Sequence, residues 1–273
     1  MLDTAIARLS LGPIAVITGA GLSTDSGIPD YRGAGAPPRN PMQLDRFLAS
    51  EHARRRYWAG SHLGWKAFSS TQPNAGHRAI ARLEQAGLLT GVVTQNVDDL
   101  HEKAGSRDVV HLHGANATVT CLQCASRFPR QVVAERIAEQ NPWITVPENV
   151  RMNPDGDVSL DGDQDFVVPV CFVCEGMLKP DVVFFGELVP SHVFHEADTT
   201  VRAASVVLVA GSSLVVNTAV RLLEVARRRE VPIVIVNRGP TKWDARASAR
   251  IDAGTSETLT AFADALAPLP HAS

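Results

Sequence analysis

The sequence predicts an α/β fold, a doubly wound parallel sheet with a smaller domain inserted beside it. Three observations carry the prediction. Short runs of Val and Ile close repeatedly on Gly, Asn or Ser, helical patterns fall between several of these runs, and two long stretches break the alternation.

Taken in order, a short helical stretch precedes the first strand, IAVIT (14–18). Further strand candidates are TGVVTQN (90–96), DVVHLHG (108–114), DVVFFGE (181–187), SVVLVAGSS (205–213) and VPIVIVN (231–237). Continuous β-branched runs of this kind fit strands covered on both faces. NAGHRAIARLEQAG (74–87) puts Ile80 and Leu83 on one helical stripe and stops at Gly87. NTAVRLLEVARRRE (217–230) groups Val216, Val220 and Leu223, with an Asn available as the cap. Residues 34–73 open on AGAPPRNP and run into the aromatic, Arg-rich RRRYWAGSHLGWKAF, while residues 115–180 carry NPDGDVSLDGDQD and every cysteine. Residues 1–33, 86–114 and 181–273 are therefore read as a Rossmann-like domain, and 34–85 and 115–180 as insertions that build the smaller one.

Composition narrows the function classes. A chain of 273 residues with 45% hydrophobic and 20% charged residues describes a soluble globular protein. A net charge of −3 leaves no electrostatic footprint for direct nucleic-acid binding. The runs Arg54–Arg56 and Arg227–Arg229 fall in helical patterns and read as solvated helix faces. No segment reaches the roughly 20 apolar residues that span a bilayer, so no membrane contact is expected. The N-terminus lacks a basic leader region and runs into the first strand, which points to a cytoplasmic protein.

The four cysteines form two C-x-x-C pairs, Cys121/Cys124 and Cys171/Cys174. Thiolates two residues apart can converge on one tetrahedral ion, and two such pairs close a structural zinc site. The 46 residues between the pairs exceed the usual ribbon spacing, and reduced buried cysteines or a redox pair are the alternatives. The inserted domain is thus read as helical and zinc-binding.

At the end of the first strand, GAGLSTDSGIPDYRG begins with Gly19 and Gly21, suited to a tight turn and a close backbone approach to pyrophosphate. Thr24 stands where a dinucleotide fingerprint has its third glycine, and no acid-terminated second strand follows. The continuation crowds Ser23, Asp25, Asp30 and Arg32 onto the same edge, where an Arg can pair with phosphate. TQNVDDLH adds Gln95, Asn96 and Asp98, and HLHG adds His111 and His113, which share a face if the strand continues through both. Either histidine could serve as a general base if it faces the site, and geometry alone leaves the choice open. GSS (211–213) and NRG (237–239) end two more strands with groups suited to ribose and phosphate.

Together GAGLSTDSGIPDYRG, TQNVDDLHEKAG, HLHG, the C-x-x-C pairs, LKPDVVFFGE, AGSSLVV and VNRG resemble the sirtuin family of NAD-dependent protein deacylases, in family order from Thr18 to about Gly254. RYWAGSHLGWKAFSSTQPN, NPDGDVSL and Tyr31 resemble its class II branch, which includes mitochondrial sirtuin four; the absence of a presequence points to a bacterial member. The resemblance implies NAD as a consumed co-substrate, one structural zinc ion and acylated-lysine proteins or peptides as partners. It makes His113 the catalytic base, with Asn96, Asp98 and Gln95 around the nicotinamide and its ribose. Gly19, Ala20, Gly21, Ser23, Asp25, Ile28, Pro29, Asp30, Tyr31 and Arg32 become the cofactor loop. Gly211, Ser212, Ser213, Asn237, Arg238, Gly239 and Ala253 take the adenosine half, and Val183, Phe184, Gly186 and Glu187 receive a substrate strand. Phe47 and RYWAGSHLGW are expected to border an acyl tunnel.

The implied reaction transfers an acyl group from lysine to ADP-ribose and moves no hydride. Two positions depart from the family pattern: Ala253 where many members have Cys, and Gly60 where class II relatives often have Arg, which leaves the acyl preference open. Protein mono-ADP-ribosylation on the same fold and a non-catalytic NAD-sensing zinc module are the competing readings. The sequence does not specify an oligomeric state.

Overall fold

The computed structural model describes residues 1–32, 41–145, 153–158 and 165–268. The AGAPPRNP stretch up to residue 40 and the SLDGDQ part of the polar segment lie outside the described residues. The chain runs α1 (Leu2–Leu9), β1 (Ile14–Thr18), α2 (Leu44–Ala49), α3 (Glu51–Ser70), α4 (Ala75–Gln85), β2 (Leu89–Thr94), α5 (Leu100–Lys103) and β3 (Val109–His111). It continues through β4 (Gly114–Cys121), β5 (Arg127–Pro129), α6 (Arg130–Gln140), β6 (Leu178–Val182), α7 (Ser191–Ala203), β7 (Val206–Ala210), α8 (Asn217–Arg228), β8 (Ile233–Val236), β9 (Ala249–Ile251) and α9 (Thr255–Leu266).

The parallel sheet has the order β3-β2-β1-β7-β8-β9. The chain builds outward from β1 through β2 and β3, then returns to the other side for β7, β8 and β9. The order therefore reverses between β1 and β7, where an open α/β sheet leaves a crevice beyond its carboxyl ends. Side chains along β1 alternate between two cores, as the strand pleat requires. Ile14 and Val16 join Leu9, Ile80, Leu83 and Phe262 on one face. Ala15 and Ile17 join Val201, Leu222, Leu223 and Trp243 on the other. With helices on both faces the strand has no solvated side, which is why its sequence is apolar throughout.

A second, three-stranded antiparallel sheet has the order β5-β4-β6. The run at 181–187, expected as a strand of the parallel sheet, belongs here instead: β6 ends at Val182 and the following residues form a turn. A Val/Phe run reports burial, and burial does not say which sheet provides it. Gly114 makes the pairing possible. It has φ +77, and a Cβ there would lie 2.0 Å from the Asp181 carbonyl oxygen. Phe47, Trp58, Val119, Val133, Ile137 and Leu178 form the core between this sheet, α2, α3 and α6.

Two smaller readings also change. The edge strand β9 carries only three residues, Ala-Arg-Ile, too few for a strand pattern. Asn217 is the first residue of α8, and Val216 holds the cap position without a side-chain bond. Asn74, by contrast, caps α4 by accepting from Gly76 N and His77 N, and Gly87 takes the left-handed conformation after it. Arg54–Arg56 and Arg227–Arg228 lie at half-exposed or exposed helix positions, and the exposed Arg229 follows α8 as its cap. No helix among the described residues is long and apolar enough to cross a membrane.

Candidate active site

A cavity of about 1340 Å³ opens over the reversal point of the parallel sheet. Gly19 and Gly21 at the end of β1 lie directly against Gly211 at the end of β7. Their added Cβ atoms would stand 2.8 and 2.9 Å from the Gly211 carbonyl oxygen. The glycines thus let two strand ends close on each other while their backbone stays open to the cavity. Two short 3₁₀ turns, Ala20–Leu22 and Thr24–Ser26, follow in place of the long helix of a dehydrogenase turn, and Gly27 at φ +91 ends them.

The predicted loop residues Ala20, Asp25, Pro29, Asp30, Tyr31 and Arg32 line the cavity with Gln95, Asn96 and His113. Ser212, Ser213, Asn237, Arg238, Gly239 and Ala253 line its far end, and Val183, Phe184, Gly186 and Glu187 its mouth toward the small sheet. Ser23, Ile28 and Asp98 lie beneath that surface. Ile28 belongs to the core around Phe47 and Tyr57. Ser23 donates to Asp98 Oδ2 at 2.6 Å, and Leu100 N donates to Asp98 Oδ1 at 3.1 Å. Burial raises the Asp98 carboxyl pKa, and these two donors oppose the rise. Asn96 Nδ2 donates to both the Gly19 carbonyl and Ser23 Oγ at 3.1 Å. Gln95 Nε2 reaches Ser212 Oγ at 2.9 Å, so the ends of β2 and β7 are tied across β1.

The two histidines separate. β3 stops at His111, so a turn and not a shared strand face carries His113. His111 Nε2 meets Glu102 on α5 at 2.5 Å. Burial acts to lower its pKa, but the bond and charge of Glu102 prevail and raise it. His113 faces the cavity with Nδ1 3.1 Å from the Gln95 carbonyl and Nε2 2.9 Å from Thr218 Oγ1. A carbonyl only accepts, so Nδ1 carries the proton and the Nε2 lone pair accepts from the Thr218 hydroxyl. Burial lowers the His113 pKa, with the Gln95 carbonyl opposing, so the ring is neutral at pH 7 with a free-base nitrogen on the cavity side.

Glu187 does more locally than the sequence implied. Its carboxylate accepts from Lys179 Nζ at 3.0 Å and from Phe184 N at 2.8 Å, which holds the turn after β6 in shape. Residues that sequence reasoning did not single out also reach the cavity: Thr218, and Asp155 and Asp157 of the polar segment. Asn116 Nδ2 donates to the Asp155 carbonyl, and Tyr31 bonds the Asp155 carboxylate. Of the expected tunnel residues Tyr57 lines the cavity, whereas Phe47 packs edge-on behind Tyr57 and Phe184.

Gly60 has a steric explanation. Val158 N donates to its carbonyl at 3.1 Å, and a Cβ at 60 would meet the Val158 oxygen at 2.2 Å. One turn on, a Cβ at Gly64 would meet the Gly156 oxygen at 1.8 Å. Two glycines four apart give α3 a bare face on which residues 156–158 lie, leaving no room for Arg. Beside it on α3, Trp58 and Ser61 engage the buried Arg130, whose guanidinium lies over the Trp58 ring at 4.7 Å and donates to Ser61 Oγ.

The cysteine pairs form two matching knuckles at one end of the small sheet. Cys121 N donates to the Ser126 carbonyl at 2.9 Å, and Ala125 N donates back to the Cys121 carbonyl at 3.0 Å. The second knuckle repeats both bonds with Cys171, Gly176 and Glu175 at the same lengths. Ala125 and Glu175 both sit near φ +58, and amides of Gln123 and Val173 each lie 3.4 Å from the first sulfur of their pair. All four sulfurs lie within 4.8 Å of one another, with Cys121–Cys174 at 3.5 Å and Cys124–Cys171 at 3.6 Å. Zn–S bonds near 2.3 Å in a tetrahedron place sulfurs about 3.8 Å apart, so the residues fit a closed structural zinc site.

A parallel sheet that presents polar groups at its reversal point, beside a four-cysteine knuckle sheet, defines a nucleotide-binding class with a zinc module. The sequence model of the Sir2 family matches residues 19–218, and the chain belongs to that family. It is 48% identical over 269 residues to "NAD-dependent protein deacetylase 1" of Mycobacterium avium, covering 97% of this chain and 95% of that one. It is 45% identical over 253 residues to "NAD-dependent protein lipoamidase sirtuin-4, mitochondrial" of Bos taurus, covering 90% and 80%. Among solved structures, "Sir2-p53 peptide-NAD+" superposes with a TM-score of 0.78 at 30% identity, covering 95% of each chain.

Proposed function

We propose that this chain is a cytoplasmic NAD-dependent protein-lysine deacylase that passes the acyl group of an acyl-lysine to ADP-ribose, releasing nicotinamide. The observation that carries the reading is the His113 ring in the cavity wall, with Nδ1 on the Gln95 carbonyl and Nε2 on the Thr218 hydroxyl. NAD is a substrate here. Its adenosine half lies along Gly211, Ser212, Ser213, Asn237, Arg238 and Gly239, with Arg32 toward phosphate, and the acyl-lysine enters past Val183, Phe184 and Gly186.

In the first half of the reaction the acyl oxygen attacks C1′ of the nicotinamide ribose, and the C–N bond to nicotinamide breaks. Asn96 is held in place by its bonds to Gly19 and Ser23, and with the buried Asp98 beneath it preorganises the wall that orients the departing ring. In the second half His113 Nε2 takes the proton of a ribose hydroxyl. The oxygen's electron pair bonds to the imidate carbon, whose C=N pair moves to nitrogen. The side chains of Tyr57, Val97, Phe184 and Val189 in the cavity wall limit water at that step. Water then releases lysine and O-acyl-ADP-ribose.

The test is incubation with NAD and a panel of acyl-lysine peptides, read by mass spectrometry. O-acyl-ADP-ribose from at least one acyl group is expected. No such product, or ADP-ribose attached to protein in its place, would overturn the reading.

A further inference from the structure

The bond between His113 and Thr218 has a consequence for the base itself. A neutral imidazole with its proton on Nδ1 offers one lone pair, at Nε2, and in the free protein the Thr218 hydroxyl already occupies it at 2.9 Å. A ribose hydroxyl that gives its proton to Nε2 must come to the same lone pair. Two donors cannot share it at full strength, so the Thr218 hydroxyl has to turn away as the ribose arrives. Once the proton has moved, Nε2 is a donor and needs an acceptor, and the Thr218 oxygen remains beside it to serve.

Thr218 is well placed to act this way. It is the second residue of α8, which is fixed to the sheet by the fully buried Leu222 and Leu223. Its side chain lines the cavity. Its β-branched side chain has few rotamers, so the hydroxyl stays close to the ring while its hydrogen rotates freely.

We infer that Thr218 is a positioning residue for His113: with the Gln95 carbonyl it fixes the ring plane and tautomer, donating to Nε2 before proton transfer and accepting from it afterwards. The inference rests on the reading of His113 as the base. Thr218 contacts the ring and takes no proton itself, so the ribose O–H bond is still broken by Nε2.

Two assays on the full chain separate this role from a structural one. Exchange of labelled nicotinamide into NAD reports the first half-reaction, which needs no base, and O-acyl-ADP-ribose formation reports the second. Thr218→Val keeps the shape and removes the hydroxyl. It is expected to lower acyl transfer about three- to tenfold, as loss of one hydrogen bond to the ring would, while exchange stays at its original rate. Thr218→Ser restores the hydroxyl and is expected to recover most of the acyl-transfer rate. Acyl transfer unchanged in Thr218→Val, exchange falling in step with it, or no recovery in Thr218→Ser would each overturn the inference. His113→Ala run alongside keeps the two claims apart. If acyl transfer survives in that variant, the base assignment fails first and the Thr218 role falls with it. If it is lost there and Thr218→Val is silent, only the Thr218 role is wrong.

Discussion

The two sheets that wall the cavity are held together by different physics. β1, β7 and β8 are buried along their whole length between two apolar cores. The small sheet has three strands, one of them the largely exposed β5, and its knuckle end buries only Cys121 and Cys171 of the four ligands. The parallel sheet gains its stability from apolar area removed from water, in proportion to that area. The small sheet buries one face against the core around Phe47, Trp58 and Ile137, and its knuckle end is drawn together by four thiolates that fit one ion. Gln95, Asn96 and Ser212 accordingly stand at strand ends of the parallel sheet, and the four zinc-site cysteines stand on the small sheet.

Zinc removal is the harshest way to break that comparison. Cys121→Ser or Cys171→Ser is expected to lose the ion and lower Tm by on the order of 10 °C or more, because zinc binding at a structural site is folding free energy. Hydrogen exchange should then show β4–β6 opening while β1 and β7 stay protected. Full zinc content in either variant would refute the ligand set, and equal loss of protection in both sheets would refute their independence.

Acid probes the parallel-sheet side. Burial, reinforced by a neighbouring charge, lowers His77 and His101 to pKa values of about 3. Unfolded, each ring binds a proton below about pH 6.5, so the unfolded state gains protons that the folded state excludes. Stability is therefore complete above pH 6.5 and falls as the pH drops toward 3. The slope is up to about 1.4 kcal/mol per pH unit for each ring, which gives about 2–4 kcal/mol by pH 5. Urea titrations from pH 7.5 to 5 measure it, and His101→Gln should flatten the slope.

A smaller effect sharpens the packing inside the smaller domain. Gly60→Ala drives a Cβ onto the Val158 carbonyl and is expected to cost about 1–3 kcal/mol. Thermal unfolding gives the number, and a neutral result would mean that residues 156–158 do not rest on α3.

How much was legible in the sequence follows the same division. Strands with both faces covered announce themselves as Val/Ile runs, and β1, β2, β3, β7 and β8 all lie where such runs stand. C-x-x-C spacing forces nearby thiols together, so the zinc ligands were legible as well. Pairings set by distant residues were not. β6 reads as one more buried strand until Gly114 brings β4 against it. Thr218 carries no motif of its own, and only the approach of α8 to His113 gives it a role. The choice between His111 and His113 turned on where β3 ends, which a two-residue spacing does not reveal.

The central claim is that His113 serves the second half of the reaction and not the first. His113→Ala, assayed for nicotinamide exchange and for O-acyl-ADP-ribose in the same preparation, tests it most directly. Exchange close to the unmodified rate with acyl transfer reduced by about 10²–10⁴ is the expected result for loss of a general base. Acyl transfer that persists, or exchange that collapses with it, would contradict the account.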